Sequence, residues 1–412
     1  SNFCFVLNGE KIFAKGANLI PFSAIYEDSD NSSIDYYLDL AQRSNFNMLR
    51  VWGGGSYASD YLLEQCDKRG ILLWQDFMFA CIMFSLTAKM KENIKFEIID
   101  NIKRLRHHAS LALLCGNNEI EWHSHKDKYK IVSDYIDLYE TMLLDLTEEY
   151  APQVYYHPSS PSSGTYPLDI NEPDKGDCHY WSVWHSGKPF EDYRSHKFRF
   201  LSEYGFQSFP SIKTIETFAE AEDMNIFSEV MENHQKKDGA NGKILTYCAD
   251  EFLYIKDFEK LVFASQLLQA TAIKYAVEHL RRYRGICMGS LYWQFNDCWP
   301  VASWASVDYY GRWKALHYYA KKFYAPILLS LHEKGTEVAF SVSNETMNDF
   351  KGKVTYELVS KNFDVILSGE KDVEINSLSS KDIIFEDFKE AIGDNIKECF
   401  LNAVLFDEKG NE

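Results

Sequence analysis

Two short apolar runs in this chain each lead into a glutamate. Leu111-Ala-Leu-Leu-Cys-Gly-Asn-Asn-Glu119 passes abruptly from aliphatic residues to Asn118 and Glu119, and Phe198-Arg-Phe-Leu-Ser-Glu203-Tyr-Gly205 repeats the pattern. A buried parallel strand reads this way where it opens onto a ligand cleft. One such glutamate would read as a solvated strand end; two in one chain point to a shared role. Paired carboxylates suit glycosidic cleavage. One protonates the leaving oxygen, while the other attacks the anomeric carbon or activates water as an oxocarbenium-like state develops. Asn118 would then place an amide on the sugar 2-hydroxyl, and Tyr204 or a nearby phenol would orient the nucleophile.

Rings gather at the same strand ends. Trp52 follows Arg50-Val51, Trp181 follows His179-Tyr180, and Trp293 stands within Leu291-Tyr-Trp-Gln-Phe-Asn296. Trp52, Tyr180, Trp181 and Trp293 are candidate platforms for the apolar face of a pyranose, although core packing explains any single ring equally well. Arg50 is either a substrate contact or a buried partner that keeps Glu203 ionised. Glu119, Glu121, His123 and His125 are close in sequence, but their alternate spacing is not that of a zinc helix pair, so no metal is expected. No organic cofactor is needed. His107-His108 closes a Lys- and Arg-rich helix, where cations complement the helix dipole. A Gly-x-Ser-x-Gly elbow is absent, so acyl transfer has no support.

These residues need a frame. Eight apolar, β-branched or aromatic runs alternate with helical-period segments, the pattern of a parallel sheet covered by helices. They are Ile12 to Leu19, Asn47 to Trp52, Ile71 to Phe77, Leu111 to Cys115, Gln153 to His157, Cys178 to Trp181, Phe198 to Glu203 and Met288 to Phe295. Helices are expected over Ser33 to Ser44, Ala58 to Arg69, Lys89 to His107, Asp127 to Tyr150 and Phe258 to Tyr283. The α/β pattern predicts a (β/α)8 TIM barrel over 12–325, with its chemistry at the strand C-terminal ends. A doubly wound sheet is disfavoured because Gly53-Gly54-Gly55 lacks the spacing of a phosphate loop. After Pro326, Ile327 to His332, Glu337 to Asn344, Lys353 to Ser360 and Val373 to Ile375 read as short strands. They predict an immunoglobulin-like β-sandwich, complete or truncated, over 326–412.

Bulk composition narrows the partners. A formal net charge of −18 argues against nucleic acid and anionic membrane surfaces, and 15% aromatic residues suits a ring-lined ligand surface. The longest apolar stretch, from about Phe77 to Leu86, is too short to span a bilayer. Nine cysteines without a CxxC pattern read as reduced, buried thiols. With no secretory signal in this sequence, they favour the cytoplasm. Ser1-Asn2 reads as a cloning remnant, residues 1–11 as the remnant of an upstream domain or linker, and Gly410-Asn-Glu412 as a stop within a unit.

The chain resembles the β-mannosidases of glycoside hydrolase family 2. The resemblance is carried by Phe13-Ala-Lys-Gly-Ala-Asn18, Asn47-Met-Leu-Arg-Val-Trp-Gly-Gly-Gly55, Trp74-Gln-Asp-Phe-Met-Phe-Ala-Cys81, Gly116-Asn-Asn-Glu119, Ser202-Glu-Tyr-Gly-Phe-Gln-Ser208 and Tyr292-Trp-Gln-Phe-Asn-Asp-Cys-Trp-Pro-Val-Ala-Ser-Trp304, and by Trp313-Lys-Ala-Leu-His317. It implies that Glu119, ending strand four, is the acid/base and that Glu203, ending strand seven, is the nucleophile. Asn118, Trp52 and Trp293 would line the terminal-mannose subsite; Tyr180 and Trp181 lie where members vary in length. The implied activity is retaining exo-hydrolysis of terminal non-reducing β-D-mannose from an oligosaccharide or glycoside. Another family 2 β-glycosidase, of β-galactosidase or β-glucuronidase type, or a non-catalytic carbohydrate-binding fragment, is the alternative. A glucuronidase would need cations for the substrate carboxylate, and the motifs offer only Arg50. Family members also carry a jelly-roll-like and an immunoglobulin-like domain ahead of the barrel, expected here as missing partners of the catalytic unit.

Overall fold

The computed structural model describes residues 3–25, 31–124, 129–164, 166, 168–393 and 396–412. Each of the eight apolar runs contributes one strand: β1 (Ala14–Leu19), β2 (Met48–Val51), β3 (Leu72–Asp76), β4 (Leu111–Cys115), β5 (Tyr155–His157), β6 (Cys178–His179), β7 (Leu201–Glu203) and β8 (Gly289–Tyr292). All pair in parallel in the order β5-β4-β3-β2-β1-β8-β7-β6, a curled TIM-like sheet. β1 and β2 are buried along their whole length, as continuous apolar runs require when helices cover one face and barrel side chains fill the other. Among the described residues no strand ladder joins β5 to β6. Side chains span that seam instead: His157 Nε2 lies 2.7 Å from Asp177 Oδ1, and Ser160 Oγ donates to Asp177 Oδ2 at 2.7 Å.

Ala14, Met48, Trp74, Leu113, Cys115, Phe200 and Leu291 fill the lower interior of the barrel. A hairpin of Phe5–Leu7 and Glu10–Ile12 precedes β1, and the Phe3 ring reaches in against Trp74 and Phe200 at centroid separations of 5.9 and 5.3 Å. Polar residues lie above this apolar plug, towards the strand C-terminal ends, among them the buried Asn18, Arg50, Asp76, Ser202 and Glu203. The barrel therefore has a dry base and a polar top.

The outer helices follow their capping chemistry. Asp60–Arg69 starts where the Ser59 side chain accepts from Leu62 N and stops at Gly70, whose φ of 66° suits a residue without a Cβ. Thr87 caps Ala88–Leu105 and Asp257 caps Phe258–Arg282 in the same way. The helix expected over Asp127 to Tyr150 begins at positions, 127 and 128, outside the described residues. From Tyr129 to Tyr150 it contains a π-helical segment, Ile136–Met142. Ala240–Glu251 and Ala315–Phe323 are further helices that sequence periodicity did not mark.

The C-terminal unit is a sandwich of two antiparallel sheets. Its strands are β9 (Ile327–Lys334), β10 (Glu337–Asn344), β11 (Phe350–Ser360), β12 (Val365–Ile375), β13 (Ser379–Asp387) and β14 (Cys399–Asp407), arranged β9-β10-β13 and β12-β11-β14. Phe340, Val354, Leu358, Val373, Ile384 and Phe388 form its core. It is tied to the barrel by Arg194 and Tyr275, both bonded to Glu333, and by Arg284 on Glu345 at 3.0 Å. None of the nine cysteines is paired; five are buried, and Cys81 is exposed, contrary to the expectation of buried thiols throughout. No helix among the described residues is long and apolar enough to cross a membrane.

Candidate active site

Glu203 is the last residue of β7, and Arg50 in β2 reaches it across the barrel top. Arg50 Nη1 donates to Glu203 Oε2 at 2.9 Å and to Asn18 Oδ1 at 2.8 Å. Nη2 donates to Asp76 Oδ2 at 2.9 Å and Asn118 Oδ1 at 2.6 Å, and Nε to Asp76 Oδ1 at 3.4 Å. A guanidinium has five N–H donors. All are committed and Arg50 is 0% exposed, so it acts as a buried partner of Glu203 and not as a substrate contact. The cation that a glucuronide carboxylate would need is therefore not available from Arg50.

Glu119 lies beyond the end of β4, in a turn that leads into Ile120–Ser124. Its φ of 61° is unusual for a residue with a side chain, a strained backbone of the kind found at functional sites. Asn117 holds the turn by accepting from Ile120 N at 2.9 Å and Ser159 Oγ at 2.8 Å. Glu119 Oε1 lies 2.9 Å from Nδ1 of His179, which also lies 3.7 Å from Glu203 Oε2. His179, almost fully buried at the end of β6, thus stands between the two carboxylates; sequence reasoning had placed it only as a neighbour of Tyr180. On the other side of Glu119, His123 Nε2 and the Cys81 thiol each approach Oε2 at 3.8 Å.

The two carboxyls are held differently. Burial opposes ionisation of Glu119, but bonds from His123 and His179 outweigh it and keep its carboxyl below the usual range. Burial pushes Glu203 up, helped by the Glu119 charge and resisted by His179 and Arg50. Glu119, His179 and Glu203 bring one donor atom each within 4.8 Å of one another. Arg50 places a positive charge beside Glu203, and the His179 Nδ1 that a metal would need is already bonded to Glu119. Glu121 turns away from it and accepts from Tyr135 Oη at 3.2 Å, and His125 lies outside the described residues.

A cleft of about 900 Å³ opens above the carboxylates, walled by Trp122, Tyr180, Trp181, His185, Trp293 and Trp304. Trp293 packs edge-on against Trp52 at 5.0 Å, and Trp181 against Trp304 at 6.2 Å. Tyr180 gives its hydroxyl to Asp192 Oδ2 at 2.6 Å, which fixes its ring in the wall. The chain between Glu203 and this aromatic wall must be glycine: a Cβ on Gly205 would lie 2.3 Å from the Trp293 carbonyl oxygen. Tyr204 does not orient the nucleophile as expected, because it is fully buried with its hydroxyl on Ser290 Oγ at 2.7 Å. Asn118 has its Oδ1 on Arg50 and its amide nitrogen 3.5 Å from Cys81 Sγ, at the edge of the acidic pair.

Residues 336–412 match the family model described as the mannosidase Ig/CBM-like domain. The chain is 34% identical over 352 residues to β-mannosidase B of Aspergillus terreus, covering 81% of this chain and 41% of that protein. It is 32% identical to the β-mannosidase of Capra hircus, over 83% of this chain and 42% of the other. The crystal structure of a β-D-mannosidase from Dictyoglomus thermophilum superposes with a TM-score of 0.93 at 33% identity, over 99% of this chain and 50% of that one. The chain belongs to the β-mannosidases of glycoside hydrolase family 2. It spans about two-fifths to one half of the length of the β-mannosidases it matches. An exo-chitosanase from Amycolatopsis orientalis, at 16% identity and a TM-score of 0.79, shares the fold.

Proposed function

We propose that this chain carries the catalytic machinery of a retaining exo-β-mannosidase, with Glu203 as nucleophile and Glu119 as acid/base. The observation that carries this reading is the closeness of the two carboxylates, whose oxygen atoms approach within 4.8 Å. Retaining glycosidases hold their carboxyls about 5–5.5 Å apart, whereas inverting ones leave about 6.5–9.5 Å for a water. Glu203, whose charged form Arg50 favours, attacks the anomeric carbon while the proton held between Glu119 and His179 passes through Glu119 to the glycosidic oxygen. In the second half, Glu119 takes a proton from water, which displaces Glu203 and releases the sugar with its configuration retained. The names of the relatives support mannose as that sugar. Trp181 and Trp293 supply apolar faces for it, Trp52 backs Trp293 from behind, and Asn118 faces its 2-hydroxyl.

The test is initial-rate hydrolysis of aryl β-mannoside, β-galactoside, β-glucoside and β-glucuronide by the chain and by Glu203→Gln. Turnover restricted to the mannoside, and lowered at least about 10⁴-fold by the substitution, is the expected result. A wild type that binds mannosides without turning any over, with affinity unchanged by Glu203→Gln, would mean a binding module instead.

A further inference from the structure

Beneath the cleft, hydrogen bonds connect Glu119 to a carboxylate with no access to solvent. Asp177, the residue before β6, is 0% exposed. Its Oδ2 accepts from Ser160 Oγ at 2.7 Å and Ser202 Oγ at 2.5 Å, and its Oδ1 from Ser162 N at 2.9 Å and His157 Nε2 at 2.7 Å. Ser160 Oγ also lies 2.9 Å from His179 Nε2, and His179 Nδ1 lies 2.9 Å from Glu119 Oε1. Asn171 fixes the backbone of His179 by accepting from its N–H and donating to its carbonyl.

The direction of each bond follows from what the groups can do. Burial opposes the charge on Asp177, but His157 and the other donors outweigh it and hold its carboxyl well below the usual range. An ionised carboxylate only accepts, so the Ser160 proton is committed to Asp177 and the Ser160 oxygen is left as an acceptor. Nε2 of His179 must then carry a hydrogen. Nδ1 becomes the ring nitrogen that gains and loses a proton, and it is the one that faces Glu119.

We propose that Asp177, acting through Ser160, sets the tautomer of His179 so that one proton is shared between His179 Nδ1 and Glu119. Asp177 and Ser160 are then positioning residues for the acid/base, an inference that rests on Glu119 holding that role. In the neutral form Glu119 donates to Nδ1; in the ionic form the imidazolium donates to the Glu119 carboxylate. Either form delivers one proton to the leaving oxygen and recovers one from the attacking water, so the pair ends each turnover as it began. The charged and titratable groups facing it from the cleft are Glu203 with Arg50, His123, His185 and Cys81; beneath it are Asp177 and His157.

Ser160→Ala removes the link while leaving Asp177 three of its donors. Freed from Ser160, His179 takes the Nδ1–H tautomer, which favours Glu119 as a carboxylate. The alkaline limb of kcat/KM should therefore move down by about one pH unit, and phenyl β-mannoside should lose roughly tenfold. 2,4-Dinitrophenyl β-mannoside, whose leaving group needs no proton, should stay within about twofold in its glycosylation step. Asp177→Asn should act in the same direction; if it fails to fold, Ser160→Ala decides alone. An unmoved limb, or equal losses on both substrates, overturns the proposal. Long-range proton–nitrogen correlation spectra of the His179 ring decide it independently of turnover, and so separate its failure from failure of the glycosidase reading. Nε2 protonated from pH 5 to 9 while Nδ1 titrates supports it, and the reverse pattern refutes it.

Discussion

Arg50 shows how much of this site is fixed by one buried side chain. Its single charge is shared between Asp76 and Glu203, and its remaining donors hold Asn18 and Asn118, so all four partners depend on it. Removing one member of a buried ion pair costs about 3–5 kcal/mol because the other charge stays buried. Arg50→Met should therefore lower unfolding stability by that amount, read from urea denaturation at pH 7. It should also move the acid limb of kcat/KM upward, since Glu203 would lose the cation that favours its charged form. Glu121 offers the opposite case. Burial pushes its carboxyl up to about 7, above the value near 4.5 expected in the unfolded chain. The folded state therefore holds that proton more tightly, and stability is lost as pH rises from about 4.5 to about 7. Glu121→Gln should then stabilise the protein at pH 8 by up to roughly 3 kcal/mol and change little at pH 4.5. Equal effects at both pH values would show that Glu121 is not the group responsible.

Elements decide where those side chains meet, and their legibility in the sequence follows from how local their causes are. Barrel strands such as Leu111-Ala-Leu-Leu-Cys115 are readable because burial on both faces demands a continuous apolar run. β13, Ser-Ser-Lys-Asp-Ile-Ile-Phe-Glu-Asp, is largely solvated and carries its charges outward, so no such run marks it. The two glutamates are legible because one ends a strand and the other follows one closely. His179 is not, because its partners Glu119 and Ser160 come from the segments after two other strands and only the closed barrel brings them to it. The turn from β7 to the tryptophan-bearing end of β8 is another long-range fit. Gly205→Ala would force its new methyl against the Trp293 carbonyl, displacing the aromatic wall while leaving the lower barrel untouched. The expected outcome is a KM for aryl mannoside raised at least about tenfold with an unchanged far-UV spectrum; an unchanged KM would mean that Trp293 does not contact the sugar.

At the scale of the whole molecule, two buried histidines that do not line the cleft weaken the fold as pH falls. His317 lies between Ser44 Oγ and Ser306 Oγ at 3.0 and 3.2 Å, and burial pulls it down to about 3. His279 donates from Nε2 to the His196 carbonyl at 2.8 Å, while its Nδ1 is buried without a hydrogen-bond partner; burial pulls it down to about 4. Both are neutral in the folded state and charged in the unfolded chain below about 6.5, so the unfolded state binds more protons and stability falls with pH through that window. Between pH 6.5 and 4.5 each can remove roughly 2–3 kcal/mol, whereas protonation of Glu121 returns about as much as one of them removes. Asp297, whose carboxyl burial also pushes up to about 7, offsets the second histidine, so the part played by each histidine is isolated by substitution and not by the net pH curve. His279→Gln keeps a donor for the His196 carbonyl but cannot be charged, and should flatten the fall in Tm between pH 6.5 and 4.5 while leaving Tm near pH 7.5 within a few degrees. If the slope is unchanged, acid unfolding is driven instead by carboxylates such as Asp177, whose depressed pKa makes their contribution disappear at lower pH.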